Sequence, residues 1–151
     1  MELIYTEFIF NFTNLNSFSR FFSTVPDWCL KRLQHIELSW FINPSPIELP
    51  AIRSDDMEQW ILFCERMARL TRLKTLGISI YGCVGPNENE LFKHLLPVKV
   101  KNRFNIEVDW NISKDIAWQG EAPFIIEEVF LGCLCPPQTL LPSNKLLPAD
   151  N

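Results

Sequence analysis

One ten-residue pattern occurs twice in this chain, as LKRLQHIELS over residues 30–39 and as LTRLKTLGIS over residues 70–79, an offset of 40. In each copy, two leucines three positions apart precede a stretch in which apolar and polar residues alternate. Leucines at this spacing share one face of a helix end, and alternation with a period of two is typical of a strand with one buried face. The pattern therefore predicts two similar units, each with a helix end that leads into a half-buried strand.

Four stretches of the chain alternate in this way. Their apolar positions are Phe8, Phe10 and Phe12; Ile36, Leu38 and Trp40; Leu76, Ile78 and Ile80; and Phe104, Ile106 and Val108. Phe8 and Ile36 are 28 residues apart, as are Leu76 and Phe104. A unit of this length lies within the leucine-rich-repeat range, and the middle unit would be longer by twelve because of its proline-rich loop. The asparagine of a standard leucine-rich repeat is missing, so two unrelated strand–helix units remain an alternative.

Apolar residues at helical spacing fill the gaps between these strands. The three runs are Leu15, Phe18, Phe22 and Val25; Met57, Trp60, Ile61, Cys64 and Met67; and Leu91, Phe92, Leu95 and Leu96. Capping residues precede or begin them, namely Asn14, Asp55 with Glu58, and Asn87 with Glu90. Strands that alternate with helices usually lie parallel in one sheet. We therefore predict an α/β fold with a short parallel sheet of about four strands alternating with helices, leucine-rich-repeat-like in character.

The chain divides into one predicted α/β domain over residues 1–130 and an irregular tail over residues 131–151. The tail is rich in proline and leucine, and its prolines exclude a regular helix or a central strand. Before the tail, Ile116, Trp118, Phe124, Ile126 and Val129 are compatible with one more strand or hairpin.

Charge and composition disfavour several classes of function. The net charge of −4 and pI of about 5.2 provide no overall basic surface for a nucleic-acid backbone. The amino terminus is acidic rather than signal-like, and no apolar run is long enough for a membrane helix. Five scattered cysteines then indicate reduced thiols and an intracellular compartment, cytoplasmic or nuclear. We expect no nucleic-acid, membrane or cofactor partner.

No motif predicts a catalytic, cofactor-binding or metal site. Cys133 and Cys135 form C-x-C without the second ligand pair that structural zinc needs, and His35 and His94 are the only histidines. Cys64 lies on an apolar helical stripe, which favours a core position over a nucleophile. The glycines of residues 82–86 follow a strand but lack a phosphate-loop pattern, so an ordinary turn is predicted.

Two surface features remain. Lys93, Lys99, Lys101 and Arg103 form a basic cluster, which the nearby Glu88, Glu90, Glu107 and Asp109 explain as a solvated face of mixed charge. Trp40 and Trp110 end their predicted strands at matching places, and Tyr81 follows the strand between them. Trp40, Tyr81 and Trp110 are therefore the candidate interaction surface, an aromatic edge for a protein partner.

The chain also resembles a fungal family of domains of unknown function, the DUF7730 type. The resemblance rests on IYTEFIF (4–10), FFSTVP (21–26), LQHIELSW (33–40), the Trp-bearing helix at 60–67 and the Leu-x-x-Leu strand at 70–80, and it spans about residues 3–110. It implies no activity and no functional residues, although some relatives look leucine-rich or F-box-associated. Family members begin with a further helix, so the resemblance implies a chain truncated at its amino terminus, with an uncovered edge at the opening strand.

These observations favour a non-enzymatic domain that binds another protein. The alternative is an enzyme, or a remnant of one, whose site is assembled from distant residues. A deep polar pocket that holds His35 or His94 beside a cysteine or carboxylate would favour the enzyme. A truncated protein without an independent function is the third hypothesis.

Overall fold

The computed structural model describes residues 3–42, 52–82, 84–114 and 120–129. The helices are α1 (Leu3–Glu7), α2 (Leu15–Thr24), α3 (Asp27–Leu30), α4 (Ser54–Ala68) and α5 (Glu88–Lys93). The strands are β1 (Ile9–Phe12), β2 (His35–Ile42), β3 (Thr75–Gly82), β4 (Arg103–Val108) and β5 (Ile125–Glu128). A short 3₁₀ turn, Gly85–Asn87, leads into α5.

The five strands form one sheet in the order β1-β2-β3-β4-β5, and every neighbouring pair is parallel. The predicted α/β class, with parallel strands alternating with helices, is therefore confirmed. The expected strand number is corrected from about four to five, because β5 pairs with β4 along its whole length. Its register places Ile126 level with Ile106, so the last unit spans only 20 residues.

The register confirms two of the expected repeat lengths and corrects the third. Ile36 lies level with Leu76, and Leu76 with Phe104. Phe10, and not Phe8, lies level with Ile36, so the first unit is 26 residues long. Phe8 precedes β1 and is 59% exposed, because the bend between α1 and β1 takes it out of the alternation.

A single apolar core lies between the helices and one face of the sheet. The inward side chains of β2, β3 and β4 are buried, as the alternation predicts. Helices α2 and α4 pack on this face, where the rings of Phe18 and Phe63 meet edge to face at 4.7 Å. Phe63 is missing from the predicted stripe of α4, although it is fully buried. The helix contacts α2 as well as the sheet, so its buried face is wider than one stripe.

The helix boundaries follow local chemistry only in part. Asn14 caps α2 as predicted, since its Oδ1 accepts a hydrogen bond of 2.7 Å from the Ser17 amide. The predicted capping box of Asp55 and Glu58 is wrong, because α4 begins at Ser54 and Asp55 lies inside its first turn. A carboxylate there still stabilises the positive end of the helix dipole. Asn87 is the N-cap of α5 but makes no side-chain capping bond.

The opening strand is not without a neighbouring helix. Helix α1 precedes β1, and the Tyr5 ring stacks on Phe10 with centroids 5.7 Å apart. This contact covers the Phe10 side chain, whereas β1 is the first strand of the sheet and pairs only with β2 among the described residues. The predicted tail, residues 131–151, lies outside the described residues. Among the helices that the structure describes, none combines the length and the apolar character needed to cross a bilayer.

Candidate functional site

The outward side of the sheet, here called the open face, carries the main cluster of polar side chains. No helix of the described residues packs on it, because the core cluster contains the other face. Its outward side chains lie in rows across the strands, set by the register, and three of these rows precede the aromatic row of Phe41 and Tyr81. These three rows are Ile9, His35, Thr75 and Arg103; Asn11, Glu37, Gly77, Asn105 and Ile125; and Ser39, Ser79, Glu107 and Glu127.

A groove of about 430 Å³ runs over the centre of the open face. Hydrogen bonds between neighbouring strands organise its floor. Nδ2 of Asn11 donates to Oε2 of Glu37 at 3.3 Å, and Oγ of Ser79 donates to Oε2 of Glu107 at 3.2 Å. Gly77 keeps the centre of the groove low, since it has no side chain between Glu37 and Asn105. The groove therefore offers hydrogen-bonding groups in a regular array.

An aromatic pair lies at the end of the open face where β2 and β3 finish. The rings of Phe41 and Tyr81 stack with centroids 4.8 Å apart, and Phe41 is 63% exposed. Tyr81 was expected from the sequence to be at the interaction surface, whereas Phe41 was missed. The available signal was its place in the alternation of β2, where the even-numbered residues face the core and the odd-numbered residues, including Phe41, face outward.

Trp40 does not contribute to an exposed aromatic surface. Its side chain is only 4% exposed and stacks on Trp60, with centroids 5.1 Å apart. Trp40 lies level with Ile80 and Val108, so Trp110 lies two positions further along. The structure therefore does not bring the three expected residues together: Trp40 faces the core, Tyr81 lies on the open face, and Trp110 follows β4. Trp40 is buried because it lies on the same inward side of β2 as Ile36 and Leu38.

Trp110 instead belongs to a structural clamp beside the sheet. Its Nε1 donates to Oε1 of Glu88 at 3.0 Å, and the Ser113 amide lies 3.3 Å from both carboxylate oxygens. Glu88 is the buried charged side chain among the described residues. The clamp holds the segment after β4 against α5, and we assign it a structural role.

In the groove, His35 lies beside Thr75 but far from the Ser79–Glu107 pair. Nδ1 of His35 lies 2.8 Å from Oγ1 of Thr75, within hydrogen-bond distance. The Ser79–Glu107 pair lies two rows further on, about 13 Å along the strands at the usual rise per residue. A serine nucleophile and its base need direct hydrogen-bond contact. His35 and Ser79 are therefore too far apart to act as a nucleophile–base pair.

A second cleft, of about 520 Å³, lies between the ends of α4 and α5 and brings Cys64 and His94 to the same lining. His94 is already engaged, because its Nε2 lies 3.0 Å from Oε1 of Glu90. Burial raises the pKa of the Cys64 thiol well above its ordinary value. Since the thiolate is the reactive form, Cys64 is poorly suited to act as a nucleophile.

Alkylation tests this assignment of Cys64. We expect iodoacetamide at pH 8 to modify Cys64 at least about 100-fold more slowly in the native protein than in urea, because the native thiol is buried and neutral. Peptide mapping by mass spectrometry measures the rate at Cys64 itself. The thiol ionises at lower pH in the unfolded chain, so its contribution to stability is complete below that pH and is lost as the pH rises. Rapid native labelling would contradict the assignment.

Metal and phosphate sites receive no support from the described residues. The described residues contain no group of three or more His, Cys, Asp or Glu side chains placed to hold a metal ion. Cys133 and Cys135 lie outside the described residues, as does Cys83. Gly82, which ends β3, and Gly85, in the turn after it, both have positive φ, and the Gly82 amide donates to Oδ1 of Asp109 at 2.9 Å. That amide is therefore already used within the protein.

The basic cluster is rearranged relative to its expected form. Lys93 pairs with Glu90 at 3.8 Å, whereas Glu88 accepts from Trp110 and Asp109 accepts from Gly82. These carboxylates thus have partners of their own. Lys99, Lys101 and Arg103 lie in and after the turn before β4, where all three are exposed.

Comparison with known proteins gives one match. No curated protein and no solved structure matches the chain. The family model described as a domain of unknown function, DUF7730, matches residues 1–128. This match covers most of the chain and all five strands. The chain therefore belongs to the DUF7730 family.

Proposed function

We propose that the chain is a non-enzymatic, leucine-rich-repeat-like module that binds a partner protein on its open face. The observation that carries this proposal is the stacked Phe41–Tyr81 pair, in which Phe41 is exposed and Tyr81 half-buried, at one end of a polar groove. Protein interfaces typically combine aromatic anchors with a surrounding set of polar groups. The open face has both features within three neighbouring strands.

The sheet topology supports the leucine-rich-repeat-like part of the proposal. Strand order follows chain order, and each unit adds one parallel strand beside the last. Leu33 and Leu73 occupy equivalent buried positions just before β2 and β3. Backbone hydrogen bonds connect the turns, since the amides of Lys74 and Thr75 both donate to the Gln34 carbonyl. Repeat proteins of this kind bind partners on an extended surface made by successive units.

The groove favours an extended segment as the bound part of the partner. Its hydrogen-bonding side chains recur every second residue along each strand, which matches the side-chain spacing of an extended peptide. The aromatic pair supplies an apolar anchor, which typically contributes most of the binding energy of such a contact. The polar rows then determine which neighbouring side chains are accepted.

Site-specific photo-crosslinking tests this proposal. A benzophenone amino acid at position 41 is expected to capture one discrete partner in cells that naturally express the protein. The same group at Leu62 serves as the control, because Leu62 is exposed but lies on α4, away from the open face. Mass spectrometry then identifies the captured protein and the crosslinked peptide.

A variant of the anchor makes the test specific. With the photo-crosslinker moved to Ser79, we expect Phe41→Ser together with Tyr81→Ser to reduce capture at least about tenfold, since the apolar anchor is lost. Because Phe41 is exposed, we expect the double variant to fold normally. Circular dichroism measures whether it does. Equal capture from positions 41 and 62, or capture that ignores the double substitution, would exclude the open face as the binding surface.

A further inference from the structure

The turns before β2, β3 and β4 bring six exposed cations to one edge of the sheet, here called the basic edge. Its members are Lys31, Arg72, Lys74, Lys99, Lys101 and Arg103. The turns are held together by backbone hydrogen bonds. The Lys74 amide donates to the Gln34 carbonyl at 2.7 Å, and the Asn102 amide donates to the Lys74 carbonyl at 2.9 Å. Because neighbouring strands are about 4.8 Å apart, the three turns form a continuous surface.

The charge of the basic edge departs strongly from that of the chain. The protein has a net charge of −4, yet residues 30–35, 69–75 and 97–103 contain no aspartate or glutamate. The six cations form no ion pair with any residue in the described part of the chain. Arg32 lies beside them, with its guanidinium carbon 5.5 Å from the ring centroid of Trp28.

Stabilisation of helix ends accounts for only one of these cations, Lys31, which is the C-cap of α3. Helices α4 and α5 end at Ala68 and Lys93, and Arg66 and Lys93 are the basic residues of their last turns. Arg72, Lys74, Lys99 and Lys101 lie beyond those turns, outside the range over which a helix dipole acts. Like charges packed together instead repel one another, which makes an anionic ligand favourable at this edge.

The basic edge is continuous with the groove of the open face. Arg103 belongs to both, since it lies level with His35 and Thr75 in the first row of the groove. The Phe41–Tyr81 pair lies at the other end of the same strands. Six residues separate Phe41 from His35, which corresponds to about 20 Å along the strand. An extended segment of six or seven residues therefore reaches from the aromatic pair to the basic edge.

We propose that the partner segment bound in the groove carries aspartate or glutamate at the end that lies over the basic edge, about six residues from the apolar side chain that packs on Phe41 and Tyr81. This inference rests on the proposed function and specifies the partner's chemistry. Glu37, Glu107 and Glu127 occupy the middle rows, so carboxylates of the partner are repelled there. The acidic residues are thereby confined to one end of the segment.

Selection from a phage library of random peptides of about twelve residues tests the inference with the full-length chain. We expect a consensus in which an apolar residue and a pair or cluster of acidic residues lie about six positions apart. The variant Lys74→Glu with Lys101→Glu is expected to lose the acidic positions and to keep the apolar one. The matched control, Arg20→Glu with Lys114→Glu, makes the same charge change at exposed sites elsewhere and should return the original consensus.

Binding of the selected peptide provides the quantitative measurement. By fluorescence anisotropy at low salt, the edge variant is expected to bind at least about tenfold more weakly than the control, and salt should weaken the wild type more than the edge variant. A thymidine oligonucleotide and phosphatidylserine vesicles are tested as competitors. If either binds the basic edge more tightly than the selected peptide, the edge serves a different macromolecule and the inference is overturned.

The anchor variant separates this inference from the function on which it rests. If Phe41→Ser with Tyr81→Ser removes the apolar position, and reversal of the edge charges leaves the consensus unchanged, the open face binds protein but the acidic end is excluded. If the anchor variant keeps the whole consensus, the proposed binding mode itself fails, and the inference fails with it. The absence of any consensus overturns the inference as well.

Discussion

Replacement of Trp60 by alanine is expected to lower the free energy of unfolding by about 3–5 kcal/mol, the usual cost of removing a large aromatic side chain from a packed core. Trp60 is 0% exposed and stacks between Trp40 and Phe63, at centroid distances of 5.1 and 5.4 Å. Its Nε1 donates to the Leu91 carbonyl at 2.8 Å. One side chain thus connects α4 to β2 and to α5.

Urea titration measures the loss at Trp60, and two further variants identify its cause. Trp60→Phe keeps a ring but removes the donor to Leu91, so we expect a smaller loss of about 1–3 kcal/mol. Trp28→Ala is the matched control, because Trp28 is 54% exposed and contacts only the Arg32 guanidinium among the aromatic and cationic contacts described. Its cost should stay below about 1 kcal/mol. Equal losses for Trp28 and Trp60 would contradict the central packing role.

Replacement of Gly82 by alanine is the second large effect, with an expected loss of about 3 kcal/mol or more. Gly82 ends β3 with φ of +118°, a conformation that side chains rarely adopt. A Cβ there would lie 2.4 Å from the Ile42 carbonyl oxygen, which belongs to the neighbouring strand β2. The backbone of β2 or β3 must therefore move at this point. The same movement strains the hydrogen bond from the Gly82 amide to Asp109.

Gly77→Ala is the control for the substitution at Gly82. Gly77 lies in the same strand, but a Cβ there meets only Cγ of Glu37, at an ordinary contact distance of 3.5 Å. Since glycine weakens a strand interior, we expect no loss or a gain of up to about 1 kcal/mol. Thermal and urea unfolding of both variants measures the difference. A Gly82→Ala variant as stable as Gly77→Ala would show that the turn after β3 tolerates a side chain.

Alternation and repetition in the sequence were sufficient to predict the parallel sheet of β1 to β4, although not its fifth strand. The pattern around Ile36 recurs around Leu76 and Phe104, and those residues lie level in the structure. Alternation also implies an outward set of side chains, so the polar rows of the groove were present in the same pattern. The first strand was placed two residues early, because Phe8 continues the alternation although the chain bends before Ile9.

The candidate site could not be predicted in the same way. Trp40 and Phe41 are adjacent aromatic residues, and the pattern does not say by itself which of them a partner can reach. Helix α4 covers Trp40, whereas Phe41 remains exposed beside Tyr81. The sequence also placed Glu88 and Asp109 beside the basic cluster, but the folded chain uses both carboxylates as acceptors for its own donors.

The order of apolar and polar residues along the chain, a local property, was enough to establish the class of fold, the strand direction and two of the repeat lengths. It operates through burial, since each alternating stretch can hide only one face from water. Only the folded chain decided which side chains form the open face and the basic edge. Residues of different units become neighbours only where their strands and turns lie side by side. Lys31, Lys74 and Lys101 are far apart in sequence, and the stacking of three turns places them on a single edge.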